Sequence, residues 1–274
     1  MVVVESYTRQ YIVRMIVSKD ISSLLHRLLQ GELSVEQCAR SIASMNQTTL
    51  KVGTFARLDL ERMQRTAFPE VIYAPGKTRS ELLDILSALR DRDVHNVMIS
   101  KLQRDVFEEM NTTFPDAEYY VRSSSAVFFP KAHSDASGDI TIVTAGTSDL
   151  AVAEEAEIAC RLAGSSVRCI SDVGVAGVHR LLDVLPDLVT SRVIICVAGM
   201  EAALPSLLTG LVPVPVIGLP VSIGYGVNMG GWNALLSMLG SCAPGLLVVN
   251  IDNGIGAAAA AHRINIASEY TRHE

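Results

Sequence analysis

The hydrophobic positions of this chain follow one grammar before residue 131 and another after residue 138. In the first part, residues 22–29 carry an apolar face at helical spacing, and Gly31 stops it. Ser34-Val35-Glu36-Gln37 has the Ser-x-x-Gln form of a capping box opening a second helix. Residues 54–60 and 68–73 alternate as short strands, and Pro75-Gly76 makes a turn. A helix is predicted over residues 78–89, capped by Thr78 or Ser80. A strand over 94–99, a helix over 103–110 and a strand over 117–120 follow. This is an α/β pattern with a small sheet.

Residues 131–138 are polar and read as a linker. Beyond them, apolar strands over 140–144, 167–170, 192–197, 214–219 and 246–250 alternate with helices. The helices are predicted over 152–162, near 178–185, from about 204, over 231–239 and, Ala-rich, from 256. Strands that alternate with helices imply a parallel sheet covered on both faces. A smaller N-terminal α/β domain over 1–137 and a second domain over 138–274 are therefore expected, the first ~20 residues being assigned to neither.

Charge sharpens this division. Up to Ser137 there are 17 basic and 17 acidic residues, and from Gly138 onward 6 and 12, so the net −6 lies wholly in the second part. No lysine follows Lys131. A Schiff-base or P-loop lysine from that part is excluded, and phosphate there must be met by backbone N–H groups, helix N-termini or arginine. Gly76-Lys77-Thr78 ends like a P-loop, but the earlier glycine of that motif would fall at Val71, inside a strand. With no basic run, nucleic acid is not an expected partner.

No charged residue occurs between Glu201 and Asp252. Pro205, Pro213, Pro215, Pro220 and Pro244 cut that stretch into pieces shorter than the ~20 apolar residues a membrane span needs. No membrane association is expected. Residues 1–20 carry Arg9, Arg14 and Lys19 among apolar residues without a clean signal core or cleavage site, so a cytoplasmic protein is expected over one with an organellar transit segment. Five scattered cysteines (Cys38, Cys160, Cys169, Cys196, Cys242) without a C-x-x-C pair fit reduced thiols and favour the cytoplasm.

Ligands of doubly wound sheets bind beyond the carboxyl ends of the strands. The first strand leads into Gly146-Thr147-Ser148-Asp149, an anion cradle or simply a helix cap. The second leads into Asp172-Val173-Gly174-Val175-Ala176-Gly177-Val178-His179-Arg180. There the glycines allow close backbone approach, and a His–Arg pair stands at the strand end. After the third comes Ala198-Gly199-Met200-Glu201. Glu201 is alone in an apolar region, so burial is expected to raise its pKa, as suits a proton-handling carboxylate. The fourth precedes a glycine-rich loop with Gly224 and Tyr225, and the fifth ends in Asn250-Ile251-Asp252-Asn253-Gly254, where turn chemistry competes with ligand binding. Cys242 follows a helix among small residues and, on its own, reads as a buried apolar cysteine.

These segments together resemble a known family. The second part is similar to the PurE fold of N5-carboxyaminoimidazole ribonucleotide mutase, a flavodoxin-like three-layer parallel sheet. The whole resembles the LarB family of nickel-pincer cofactor biosynthesis, the pyridinium-3,5-biscarboxylic acid mononucleotide synthases. The resemblance is carried by FPEVIYAPGKT (68–78), GTSDLAVAEEA (146–156), DVGVAGVHRLL (172–182), AGMEAALPS (198–206), GYG (224–226), SCAPG (241–245) and NIDNGIGAA (250–258). Ala151 and Ile255 depart from the usual proline and phenylalanine.

The resemblance implies carboxylation of nicotinate adenine dinucleotide at C5 of its pyridinium ring, with hydrolysis of the phosphoanhydride to release AMP. Carbon dioxide or bicarbonate would be co-substrate, Mg²⁺ a helper at the phosphates, and a homo-octamer the assembly. It makes Cys242 the ring nucleophile, reversing the plain reading of that cysteine, Glu201 the proton acceptor, and His179 an acid–base or orienting group. The dinucleotide would lie against Gly146, Thr147, Ser148, Asp149, Asp172, Gly174, Gly177 and Arg180, with Gly199, Met200, Gly224, Tyr225, Asn250, Asp252 and Asn253 completing its surroundings. Two rivals remain at this level. An aminoimidazole ribonucleotide carboxylase or mutase would leave Cys242 and the N-terminal part without a task; a nucleotide-binding protein without turnover would not need a reactive cysteine.

Overall fold

The computed structural model describes residues 19–39, 48–132 and 136–270. The expectations for residues 1–18 lie outside the described residues. Two compact units meet the eye, residues 1–61 and 62–274. In the smaller, helix α1 (Lys19–Leu29) precedes the capping box: Gln37 N–H donates to Ser34 Oγ at 3.2 Å, and Ser34 N–H donates to Gln37 Oε1 at 2.8 Å. Strands β1 (Thr49–Val52) and β2 (Ala56–Asp59) then pair antiparallel. The pattern of the sequence indicated only the second, because four residues of β1 carry too little alternation to stand out.

The larger unit holds two sheets. After α2 (Arg62–Thr66), the mixed sheet uses β3 (Val71–Tyr73), α3 (Arg79–Arg90), β4 (Val97–Ser100), α4 (Arg104–Asn111), β5 (Glu118–Tyr120) and β6 (Ser125–Phe128). Its order is β3-β4-β6-β5, parallel only between β3 and β4. Thr78 caps α3 through a reciprocal box with Glu81, which settles Gly76-Lys77-Thr78 as a helix start. Strand β6 is buried at all four positions and carries no alternation, so it left no mark in the sequence pattern.

The second sheet is built from β7 (Ser137–Thr144), α5 (Leu150–Leu162), β8 (Ser165–Ile170), α6 (Val178–Leu188), β9 (Val193–Ala198), α7 (Ala203–Thr209), β10 (Val216–Pro220), α8 (Trp232–Leu239), β11 (Leu246–Val248) and α9 (Gly254–Tyr270). All five strands run parallel in the order β8-β7-β9-β10-β11. This is the flavodoxin-like 2-1-3-4-5 arrangement. Strand β9, with neighbours on both edges and helices on both faces, is buried throughout.

The larger compact unit starts at Arg62 and runs across the expected boundary at 137/138. The reason is shared burial. Phe68, Met98 and Val127 of the mixed-sheet region pack in one apolar cluster with Ile140, Val152 and Ala257. Buried Glu155 of α5 also accepts from Ser100 Oγ at 2.6 Å and from Gly254 N–H at 3.1 Å. The expected linker over 131–138 is shortened by β7, which starts at Ser137, and its residues 133–135 lie outside the described residues. Gly138 has φ +68°, and a Cβ there would overlap the carboxamide of buried Asn265, which receives Asp139 N–H and donates to Ser137 carbonyl.

Candidate active site at the switch point

The chain reverses direction across the sheet between β7 and β9, leaving a crevice outside their carboxyl ends. A cleft of about 450 Å³ opens there, within the size range of small-molecule sites. Four strand ends contribute to it. Gly146, Ser148 and Asp149 follow β7; Gly174 follows β8; Gly199, Met200 and Glu201 follow β9; Gly224 and Tyr225 come from the loop after β10. Its apolar wall includes Ala145, Val175, Leu204 and Ile223, which the sequence reading did not name because such residues carry no chemical signal.

Two glycines make the floor possible. A Cβ on Gly174 would stand 2.6 Å from Ala145 carbonyl oxygen, and one on Gly199 2.7 Å from Ile223 carbonyl oxygen. In both cases the obstacle is backbone, so the neighbouring strand-end loops approach closely only because these positions lack a side chain. Beyond Gly199 the chain bends through Met200 (φ 54°) and Ala202 (φ 47°), left-handed conformations that non-glycine residues adopt at a cost of about 1–3 kcal/mol each. Asn233 Nδ2 holds that bend by donating to Met200 carbonyl at 3.0 Å.

Asp149 is the buried carboxylate of the cleft. It accepts Gly146 N–H at 2.7 Å, which closes the turn Thr147–Asp149 into α5. Burial raises its pKa, while hydrogen bonds from Gly146, Ser148, Ala145 and Gly199 pull the other way. The N-terminus of α5 opens on this turn and that of α6 on the turn Val175–Gly177 after β8, so two helix dipoles present their positive ends on the carboxyl side of the sheet.

Glu201 lines the cleft but is exposed, so its isolation among apolar residues in sequence does not translate into burial. The reason is its place on the β9–α7 bend, at the rim rather than under it. His179 and Arg180 occupy the first turn of α6 outside the cleft wall, His179 exposed and Arg180 paired with Asp172. A Cβ on Gly177 would touch the Arg180 guanidinium, which therefore lies across that glycine. Thr147 and Gly177 are neighbours of the wall, not part of it.

The Asn250–Gly254 segment works as turn chemistry. Asp252 Oδ1 accepts Ser222 N–H at 2.8 Å, Asn253 Oδ1 accepts Gly256 N–H at 2.8 Å, and Asn250 Oδ1 accepts Ile251 N–H at 2.9 Å. Asp252 thus ties the loop after β10 to the end of β11.

Cys242 stands elsewhere. It is exposed, in the connection that leaves α8 and enters the amino end of β11, and it does not line the cleft. Ser241 beside it accepts a hydrogen bond from the Ser206 hydroxyl of α7 at 2.8 Å. The expectation of a buried cysteine, drawn from composition alone, is corrected by this loop position. Cys38, Cys160 and Cys196 are buried. Burial pushes the thiols of Cys160 and Cys196 up, and burial with the Glu157 carboxylate pushes exposed-edge Cys169 up to about 12.

Among the described residues, no three His, Cys, Asp or Glu side chains gather to hold a metal, and no helix is long and apolar enough to cross a membrane. The described residues therefore show no ready-made carboxylate cage for Mg²⁺.

Fold and cleft together define a doubly wound α/β protein with its candidate site at the switch point. The model of the LarB/PurE-like N-terminal domain matches residues 49–129, and that of AIR carboxylase matches residues 139–273. An uncharacterized protein of Methanocaldococcus jannaschii is 36% identical over 247 residues, 87% of this chain and 94% of its own. The N5-carboxyaminoimidazole ribonucleotide mutase of the same organism is 34% identical over 124 residues, 43% of this chain and 73% of its own. A solved structure of Treponema denticola PurE2 aligns at 16% identity and TM-score 0.37, over 49% of this chain and 92% of its own. The chain belongs to the LarB family, with a PurE-like C-terminal domain.

Proposed function

We propose that the protein carboxylates the pyridinium ring of nicotinate adenine dinucleotide at C5 and hydrolyses the phosphoanhydride, releasing AMP and pyridinium-3,5-biscarboxylic acid mononucleotide. The observation that carries this reading is the union, in one chain, of a LarB-type N-terminal segment with an AIR carboxylase domain whose Ser241–Gly245 loop holds an exposed cysteine.

The chemistry accounts for the residue types. A pyridinium ring is electron-poor and cannot attack carbon dioxide. Addition of the Cys242 thiolate at C4 converts it to a dihydropyridine whose C5 is an enamine carbon. C5 then forms the bond to carbon dioxide. Glu201, on the cleft rim, takes the C5 proton, and the C4–S electrons return to the ring as the thiolate leaves. His179 orients the substrate or relays that proton. Gly146 to Asp149, Gly174 and Gly177 face the phosphates through backbone N–H groups and the two helix N-termini, with Arg180 released from Asp172 to assist. Mg²⁺, held by phosphate oxygens rather than by a protein cage, would arrive with the substrate, and no step is assigned to it. The cytoplasm supplies such a dinucleotide, and a homo-octamer is the assembly proposed.

The relative that is an N5-carboxyaminoimidazole ribonucleotide mutase favours a second reading, an aminoimidazole ribonucleotide carboxylase or mutase. One incubation separates the two. Purified protein with nicotinate adenine dinucleotide, bicarbonate and Mg²⁺ is expected to yield AMP and a mononucleotide heavier by one carboxylate, read by mass spectrometry. The Cys242→Ala variant is expected to lose at least ~10³-fold of that rate, as removal of a nucleophile does. No dinucleotide turnover, with conversion of aminoimidazole ribonucleotides indifferent to Cys242→Ala, would establish the second reading instead.

A further inference from the structure

The reaction above gives no task to the N-terminal segment, nor to the one glutamate that is buried among the described residues. Glu155 is the sixth residue of α5, the helix that Asp149 leads into, and is 2% exposed. It meets two other parts of the chain. Ser100 Oγ, at the end of β4, donates to Oε1 at 2.6 Å, and Lys101 Nζ stands 3.4 Å from the same oxygen. Gly254 N–H, the first of α9, donates to Oε2 at 3.1 Å. A Cβ on Gly254 would stand 2.8 Å from that oxygen and 2.9 Å from Val152 carbonyl oxygen, so the head of α9 lies directly on α5.

Two features here exceed what capping a helix needs. A neutral side chain can accept Gly254 N–H, whereas a buried carboxylate must be offset by a cation. Lys101 is that cation, and it follows β4 in a left-handed conformation (φ 55°) that a lysine adopts only under constraint. Leu102 N–H donates to Ser124 carbonyl at 2.7 Å and Ala74 N–H to Ser100 carbonyl at 3.0 Å, so the turn is fastened on both sides. From Glu155 the contacts run on to the cleft. Asp252, two residues before Gly254, accepts Ser222 N–H at 2.8 Å, and Ile223, Gly224 and Tyr225 of the cleft wall follow Ser222 directly. Glu155 therefore stands between Asp149, at the head of α5, and the β10 loop, which Asp252 steadies from the head of α9.

Resting on the reading above, we propose that Lys101 and Glu155 are positioning residues for the dinucleotide. Their ion pair sets the Asp149 side of the cleft against the Ile223–Tyr225 side, and through it the N-terminal segment acts on a cleft that it does not line. Neither residue touches the substrate. Glu201, on the β9–α7 bend, is outside this series of contacts, so substrate binding depends on the pair and the chemical step does not.

Hydrogen exchange and kinetics together test this. In Lys101→Met the carboxylate is left buried with neutral donors only. Exchange over residues 222–228, followed by mass spectrometry without substrate, is expected to speed up about threefold or more, while residues 140–144 of β7 keep their protection. KM for nicotinate adenine dinucleotide is expected to rise about tenfold, with kcat within about twofold of the wild type. Lys101→Arg restores both, and adding Glu155→Gln to Lys101→Met brings no further loss, because the two residues act as one contact. A wild-type KM overturns the proposal. So does a raised KM with exchange unchanged at 222–228, which makes Lys101 a substrate contact instead. Faster exchange in β7 as well overturns it too, since the pair then only holds the fold together. A wild type that leaves the dinucleotide unconverted overturns the function, and exchange at 222–228 alone then decides whether the pair sets the loop. Should Lys101→Met and Lys101→Gln both fail to fold, the pair is a stability element and the proposal falls.

Discussion

The two ends of the parallel sheet are built from the same strands and carry opposite duties. At the carboxyl end, loops are held apart from ideal geometry: Met200 and Ala202 take left-handed conformations, and Gly174 and Gly199 let backbones approach where no side chain fits. At the amino end, Asn265 locks Gly138 and Asp139, and Ser206 meets Ser241. The carboxyl end concentrates candidate chemistry because four helix or loop starts converge on one crevice. The amino end has no such convergence, and yet it holds Cys242. The lesson is that convergence of strand-end loops builds the cleft, and the αβ connection that holds exposed Cys242 lies outside it.

Five measurements would break or sharpen that contrast. The largest effect is expected from Glu201→Gln, a fall in kcat of about 10²–10⁴-fold with folding unchanged, because an exposed rim carboxylate has little to do but handle protons; a wild-type rate would remove it from the chemistry. Gly138→Ala should cost about 3 kcal/mol in a denaturant titration, through clash with Asn265 and a positive φ, and leave KM untouched. Gly174→Ala, at the other end, should raise KM about tenfold with a smaller stability loss. If these two effects traded places, the division of labour between the ends would be wrong.

Alkylation of the native protein at pH 8 should label Cys242 first, since Cys38, Cys160 and Cys196 are buried and Cys169 is held protonated by its surroundings. Peptide mapping that found Cys169 ahead of it would contradict this. The smallest effect belongs to Asp149. Its folded pKa is raised, so the stability associated with its protonated form is complete below its ordinary value of 3.8 and is lost as pH rises through the folded value. The Tm of Asp149→Asn minus that of wild type should therefore climb across this window and level off above it; a flat difference would mean that burial does not govern the group.

The sequence made much of this legible because its signals are local. The capping boxes at Ser34 and Thr78, and the five apolar strands separated by helices, each depend on residues a few positions apart. Strand β6 and strand β1 escaped, the one for lack of alternation and the other for lack of length. Gly146, Ser148, Asp149, Gly174, Gly199, Met200, Glu201, Gly224 and Tyr225 reach one cleft because strand ends in a parallel sheet must face the same way.

What the sequence by itself determined is therefore the kind and order of the elements of the parallel sheet, the family, and which strand ends meet. What only the tertiary structure decided is burial and side. Glu201 is alone in sequence yet exposed, because a bend can place a residue outside the core that surrounds it in the chain. Residues 62–132 share a core with the parallel sheet, because apolar faces far apart in sequence bury one another. Cys242 stands at the far end of the sheet from the cleft because α8 spends its length crossing the layer. Local patterns fix local structure; distances between loops depend on how helices and strands pack, and no residue spacing encodes that directly.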